Sequence, residues 1–187
     1  MDLNHIALNE IPPQGATYKV TDEAVWVRRL GEFGVSCRIV EPVEAEVLVL
    51  PQEDGCLLRG VIKGVVSMPC NRCMEDTLVV LNQSFDEFED YPQVAETEPE
   101  GEDRTEFLDE CVVTMEGGAP FLDLDALLWE EFSLALPVKP LCKPDCKGLC
   151  PVCGVNLNQQ TCTCQEGNVV TGPFSALKEI VRNNEEV

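Results

Sequence analysis

The stretch from Leu141 to Cys164, LCKPDCKGLCPVCGVNLNQQTCTC, holds six of the chain's eleven cysteines and constrains its folding more than any other segment. Its spacings run C-x3-C-x3-C-x2-C-x8-C-x-C. At the centre, CPVCG has the form of a zinc knuckle, a tight turn that aims backbone N–H groups at the thiolates while Gly154 supplies the backbone freedom. An earlier pair, Cys70 and Cys73 in PCNRCME, repeats the two-residue gap. Eight cysteines in pairs suffice for two tetrahedral four-thiolate sites, with no ligand needed from the single histidine, His5.

Zinc accounts for these pairs best: it takes four thiolates, carries no redox demand, and contributes on the order of 10 kcal/mol to lobes too small to fold alone. Two partitions fit the spacing. In one, Cys150 and Cys153 join Cys162 and Cys164 in a local site, while Cys142 and Cys146 join Cys70 and Cys73 and tie the lobe to the earlier pair. In the other, Cys142, Cys146, Cys150 and Cys153 share one site. The run C-x3-C-x2-C from Cys146 to Cys153 matches the spacing of radical iron–sulfur enzymes, but too little chain surrounds it to build a barrel for cofactor and substrate. A thiol–disulfide oxidoreductase fits less well, because neither C-x2-C opens a helix after a strand in a βαβ pattern. Core packing suits Cys37, Cys56 and Cys111, each inside an apolar strand, and does not suit the pairs.

At 187 residues the chain can bury a real core without metal. We expect a β-rich domain over residues 1–136 and a Cys-rich lobe with a final helix over 137–187. The first residues show no secretory signal, no apolar run is long enough to span a bilayer, and abundant unpaired thiols suit a reducing compartment; the expectation is a cytoplasmic protein. The net charge of −21 disfavours indiscriminate nucleic-acid binding unless the few cations share one face. Much of the excess lies between Asp86 and Glu110, and its middle, at about 91–105, reads as a solvated acidic loop.

Ala16–Val27 reads as one or two short strands broken near Thr21–Glu23. Phe33–Val40 and Val43–Leu50 follow as strands separated by Glu41-Pro42. Cys56–Met68 leads into Cys70 and Cys73, and Thr77–Phe88 leads away, which places that pair in the turn of a β-hairpin, a stiff mount for two thiolates. Phe107–Met115 is a further strand, ended by Gly117-Gly118. A helix capped by Asp123 or Asp125 then runs to Pro137, with Leu124, Leu127, Leu128, Phe132 and Ala135 at helical spacing, and covers the sheet. Pro173 opens a short terminal helix. The fold class is α+β: a largely antiparallel sheet domain with a covering helix, a C-terminal Cys-rich zinc lobe and a short terminal helix.

No catalytic constellation is visible, and His5 reads as a tail residue, so an enzyme is not expected and no small-molecule substrate is evident. Lys139, Lys143 and Lys147 surround the first cysteines of the lobe. They either neutralise the charge of a zinc–thiolate site or, with Arg72, form a small phosphate-contacting patch. Asn156 and Asn158 read as turn residues.

PCNRCME, EEFSLALPVKPLC, DCKGLCPVCGVNLN and CTC together resemble the YceD family of large ribosomal RNA subunit accumulation proteins, from Val35 onward. The resemblance implies a cytoplasmic protein linked to accumulation of the large-subunit (23S) rRNA; with no catalytic constellation visible, the expectation is a non-enzymatic factor of ribosome biogenesis. Its cysteine motifs fall on Cys70, Cys73, Cys142, Cys146, Cys150, Cys153, Cys162 and Cys164, and two Zn(2+) ions are expected there. The implied partner is the large-subunit rRNA or its precursor, a large-subunit ribosomal protein, or both. An acidic chaperone for a basic ribosomal protein is the alternative reading, and a metal-dependent rRNA-processing enzyme a third.

Overall fold

The computed structural model of the chain describes residues 5–92 and 112–164. The acidic loop from residue 93 onward, the first half of the strand expected at Phe107–Met115, Cys111 and the helix expected from Pro173 lie outside the described residues.

In chain order the elements are β1 (Ile6–Ala7), a short 3-10 turn at Leu8–Glu10, β2 (Ala16–Val20), α1 (Glu23–Glu32), β3 (Arg38–Pro51), β4 (Gly55–Pro69), β5 (Asp76–Asp90), β6 (Val113–Glu116), β7 (Ala119–Leu122) and α2 (Leu124–Ala135). They form an α+β architecture with two antiparallel sheets, one of order β2-β3-β4-β5 and one of order β1-β7-β6. The β4–β5 hairpin dominates. Its register runs unbroken from Gly55 opposite Asp90 to Pro69 opposite Asp76. Each strand has 15 residues, so at roughly 3.3 Å per residue the arm is about 50 Å long.

One face of the large sheet carries the core. Val43, Val47, Val49, Leu58, Ile62, Val66 and Leu81 point inward, and α1, α2 and the small sheet pack over them. Alternation at period two along β5 leaves Leu78, Val80 and Phe88 on the other face. The helix α2 is expected and found: Asp123 caps it by accepting from the Ala126 N–H at 3.0 Å. Its Phe132 lies against Trp26 of α1 at 5.2 Å between ring centroids, and the Trp26 indole N–H donates to the Val43 carbonyl at 3.0 Å. Buried Asp125 accepts from Arg28 at 2.6 Å and Arg29 at 2.8 Å, joining the two helices.

Several expectations are corrected. The Ala16–Val27 segment is a strand only to Val20; Glu23–Glu32 is a helix. Asp22 caps it through the Ala24 N–H at 2.9 Å, and Trp26, Arg29 and Leu30 recur at helical spacing on its buried face, outweighing the β-branched Val25 and Val27. The two strands expected around Glu41-Pro42 are one strand, β3. Proline is tolerated because β2 pairs only with Ala45–Val49, leaving this half of β3 as an edge, and the register against β4 shifts on both sides of Glu41. Gly117 and Gly118, with φ of 58° and 83°, form a two-residue hairpin turn into β7, which the sequence reading missed. His5 is no free tail residue: its Nε2 lies 2.9 Å from Glu116 and its ring 5.7 Å from that of Phe121.

Candidate metal centres

The six residues between β4 and β5, Cys70 to Glu75, build a knuckle by backbone hydrogen bonds. The Cys70 N–H donates to the Glu75 carbonyl at 2.8 Å, the Met74 N–H to the Cys70 carbonyl at 2.9 Å, and the Arg72 N–H points at the Cys70 Sγ at 3.5 Å. The lobe repeats the pattern. The Cys150 N–H donates to Val155 at 2.8 Å, the Gly154 N–H to Cys150 at 2.9 Å, and the Val152 N–H points at the Cys150 Sγ at 3.5 Å. After its second cysteine each knuckle turns left-handed, at Met74 with φ of 62° and at Gly154 with φ of 72°. Glycine takes that conformation without cost, whereas methionine is strained in it.

The cysteines gather into two groups, Cys70, Cys73, Cys142 and Cys146 in one and Cys150, Cys153, Cys162 and Cys164 in the other, with the Sγ atoms of each within 4.8 Å of one another. Of the two partitions that spacing allows, the chain adopts the one that joins hairpin to lobe. Contacts of 3.8 Å between Cys70 and Cys146, 3.6 Å between Cys73 and Cys142, and 3.5 Å between Cys150 and Cys162 are far longer than a disulfide bond of about 2.05 Å. Either group could hold a metal ion. Cys70, Cys73 and Cys146 are buried around Leu141, while Cys142 is exposed. The second group is more open, with only Cys150 buried.

The thiols of a group do not ionise alike. Burial pushes the Cys70 thiol up, but N–H donors from Cys142, Arg72 and Cys73 outweigh it and bring the pKa down to about 6. Donors from Cys153 and Val152 bring Cys150 to about 6. Although the residue is exposed, local desolvation of its thiol within the cluster and the neighbouring Cys146, Cys73 and Cys70 push Cys142 up to about 12. Cys164 rises to about 12, first through Cys153 and then through burial. In the first group Cys146 is lowered as well as Cys70, helped by the Asn158 donor, and a cation bound in either group would draw the raised Cys142 or Cys164 toward thiolate.

Backbone contacts dock the hairpin tip on the lobe. The Asn71 N–H donates to Pro140 at 2.9 Å and the Leu149 N–H to Arg72 at 2.9 Å, while the Arg72 guanidinium donates to the Cys146 carbonyl at 2.9 Å. Gly148, at φ of 75°, is required here, since a Cβ would stand 3.0 Å from the Arg72 carbonyl oxygen. Asn156 and Gln159 both donate to Glu75, at 3.1 and 2.9 Å. Asn158 does more than turn the chain: its amide donates to the Cys146 Sγ at 3.2 Å while its oxygen accepts from the Lys147 N–H at 2.9 Å. Its spacing of five residues from Cys153 carries no signal that marks this role. Lys139, Lys143 and Lys147 are exposed, and Arg72 reaches the carbonyls between the last two. Among the described residues no helix is long and apolar enough to cross a membrane.

The family model described as "Large ribosomal RNA subunit accumulation protein YceD" matches residues 58–181. A chloroplastic YCED homolog 1 of Arabidopsis thaliana, named as a large ribosomal RNA subunit accumulation protein, is 27% identical over 164 residues, covering 77% of this chain and 51% of its own. The homolog of the same name in Zea mays is 25% identical over 186 residues, covering 89% of this chain and 63% of its own. An uncharacterized protein of Mycobacterium tuberculosis is 27% identical over 144 residues, covering 76% of this chain and 65% of its own. The chain thus spans between half and two thirds of the length of these relatives. No solved structure matches it at a significant level.

Proposed function

This chain belongs to the YceD family of large ribosomal RNA subunit accumulation proteins, and on that premise we propose that it is a non-catalytic, zinc-stabilised factor in the accumulation of large-subunit ribosomal RNA. The observation that carries the metal is the pair of four-cysteine groups. Zinc bound to sulfur at about 2.3 Å in a tetrahedron sets its ligands about 3.8 Å apart, and the closest sulfur contacts here are 3.8, 3.6 and 3.5 Å. Both knuckles supply N–H donors to a thiolate, and Asn158 adds one to Cys146. When bound, zinc supplies four strong cross-links per site and no chemistry on a substrate. The residues themselves fix the hairpin tip and the lobe as one body that a folded RNA element or a ribosomal protein could contact. The net charge of −21 favours a basic ribosomal protein as the direct partner.

Two measurements test this reading. Elemental analysis with thiol counting should give two zinc ions per chain; iron with a visible absorption band, or no metal after anaerobic preparation, sinks the metal assignment. Depleting the protein from its host should lower mature large-subunit rRNA relative to small-subunit rRNA, with rescue by the wild-type chain. An unchanged ratio removes the biological reading.

A further inference from the structure

The long strand β5 is an edge. Among the described residues it pairs with β4 alone, and nothing lies beyond it in the sheet. Two hydrogen bonds fix the phase of the ladder: Tyr91 N–H to the Asp54 carbonyl at 2.9 Å at one end, and Cys70 N–H to the Glu75 carbonyl at 2.8 Å at the other. In an antiparallel pair such bonds recur at every second residue. The odd-numbered residues of β5 therefore bond to β4, and the N–H and C=O groups of Leu78, Val80, Asn82, Ser84, Asp86 and Phe88 point away from it. Those same residues carry the outer-face side chains, with Leu78, Val80 and Phe88 exposed to 66%, 75% and 50%.

Natural edge strands of this length are blunted by proline, lysine or a bulge. β5 has none: DTLVVLNQSFDEFED contains no proline and no cation, and its register is regular throughout. Its only charges are acidic. Arg38 of β3 and Arg59 of β4 answer Asp76 at 3.0 Å and Asp86 at 2.7 Å. Toward the far end, among the described residues, the charges acting on Glu89 are Glu87, Asp90 and Glu130, all of its own sign. Beside them an open cavity of about 770 Å³ is lined by Glu53, Asp54, Asp90, Tyr91 and Pro92.

We propose that the open edge of β5 binds an extended basic polypeptide segment that adds to the sheet as a further strand, its apolar side chains on Leu78 and Val80 and its lysines or arginines at the Glu87–Asp90 end. Strand addition supplies affinity through main-chain hydrogen bonds, and the side-chain pattern supplies selectivity. A second copy of the chain fits poorly. Antiparallel self-pairing centred on Asn82 sets Leu78 against Asp86 and Asp76 against Phe88, and brings together two chains of net charge −21. The inference rests on the preceding proposal for its setting and deepens it by naming the class of partner.

The test uses the full zinc-loaded chain and a ten-residue peptide alternating valine and lysine. Amide hydrogen exchange at Leu78, Val80, Asn82 and Ser84 should be fast in the free protein and at least tenfold slower with the peptide. A peptide of the same charge, N-methylated at alternate residues, should give no slowing. Val80→Pro removes only an outward N–H and leaves the β4 ladder intact; Val80→Lys sets a like charge before a basic partner. Each should weaken binding tenfold or more, and the second keeps the test alive if the first disturbs folding. Slow exchange at these amides in the free protein overturns the proposal, as does unchanged binding in both variants. Protection by a uridine decamer in place of the peptide also overturns it and moves the partner to RNA. An unchanged rRNA ratio on depletion strikes the preceding proposal alone, whatever the peptide does.

Discussion

Asn158 sits between a thiolate and the backbone that holds it, so its effect should exceed that of an ordinary turn residue. Asn158→Ala removes the donor to Cys146 and the acceptor for Lys147. Hydrogen bonds to charged groups contribute about 1.5–3 kcal/mol, and with zinc in both groups as proposed, the variant should surrender the ion of the first group to a chelator at least tenfold faster, the other being unaffected. Met74 makes the opposite case. Its left-handed backbone at φ of 62° is the geometry that Gly154 takes in the second knuckle, and its side chain is exposed. Met74→Gly should raise the stability of the zinc-loaded protein by up to about 1 kcal/mol, read from denaturant midpoints. Glu131 is almost wholly buried, with one carboxylate oxygen lacking a hydrogen-bond partner. Burial, with Glu87 and Glu130 beside it and only Gln83 donating, raises its pKa to about 7. The folded state then holds a proton that the unfolded chain releases near pH 4.5, so stability is full below that pH and falls as pH rises through about 7. Glu131→Gln should melt on the order of a few degrees higher than wild type at pH 8 and show no such advantage at pH 4.

At the scale of elements the hairpin and the lobe are one mechanical unit, because each gives two thiols to the first group. Cys70→Ser should therefore loosen the lobe as well as the turn: limited proteolysis between Pro137 and Cys150 should speed up at least tenfold. A lobe that keeps its protection would show that backbone docking alone holds it. Periodicity made the hairpin legible, since alternation along β4 and β5 runs straight into the C-x2-C. The helix α2 was legible from its cap and apolar spacing. The helix α1 was not, because Val25 and Val27 mimic a strand and the decisive burial of Trp26 against Phe132 is a tertiary fact. Pro42 suggested a break that a half-strand without a partner on its β2 side makes unnecessary, and β7 is too short to declare itself beside Gly118. Among the candidate ligands, spacing identified the pairs and left two groupings open. Docking of the Arg72 and Asn71 backbone on the lobe distinguishes them, and no local pattern encodes that contact.

Across the whole molecule the apolar core runs along one face of the large sheet, from Cys56 to Val66 of β4, and the first cysteine group lies just beyond it at the Cys70–Glu75 turn of the hairpin. The first group also has an order in time. Cys70 and Cys73 leave a ribosome about seventy residues before Cys142 and Cys146, so during synthesis the hairpin exists for an interval with half a coordination sphere. With zinc bound as proposed, the site closes only when the later pair arrives, so tight metal capture has to wait until Cys146 has been made. A chain ended at Leu141 should fold its sheet yet hold zinc at the hairpin at least a thousandfold more weakly than the full protein, as measured by competition with a chromogenic chelator. Equal affinity in the truncated chain would mean that the timing is set elsewhere.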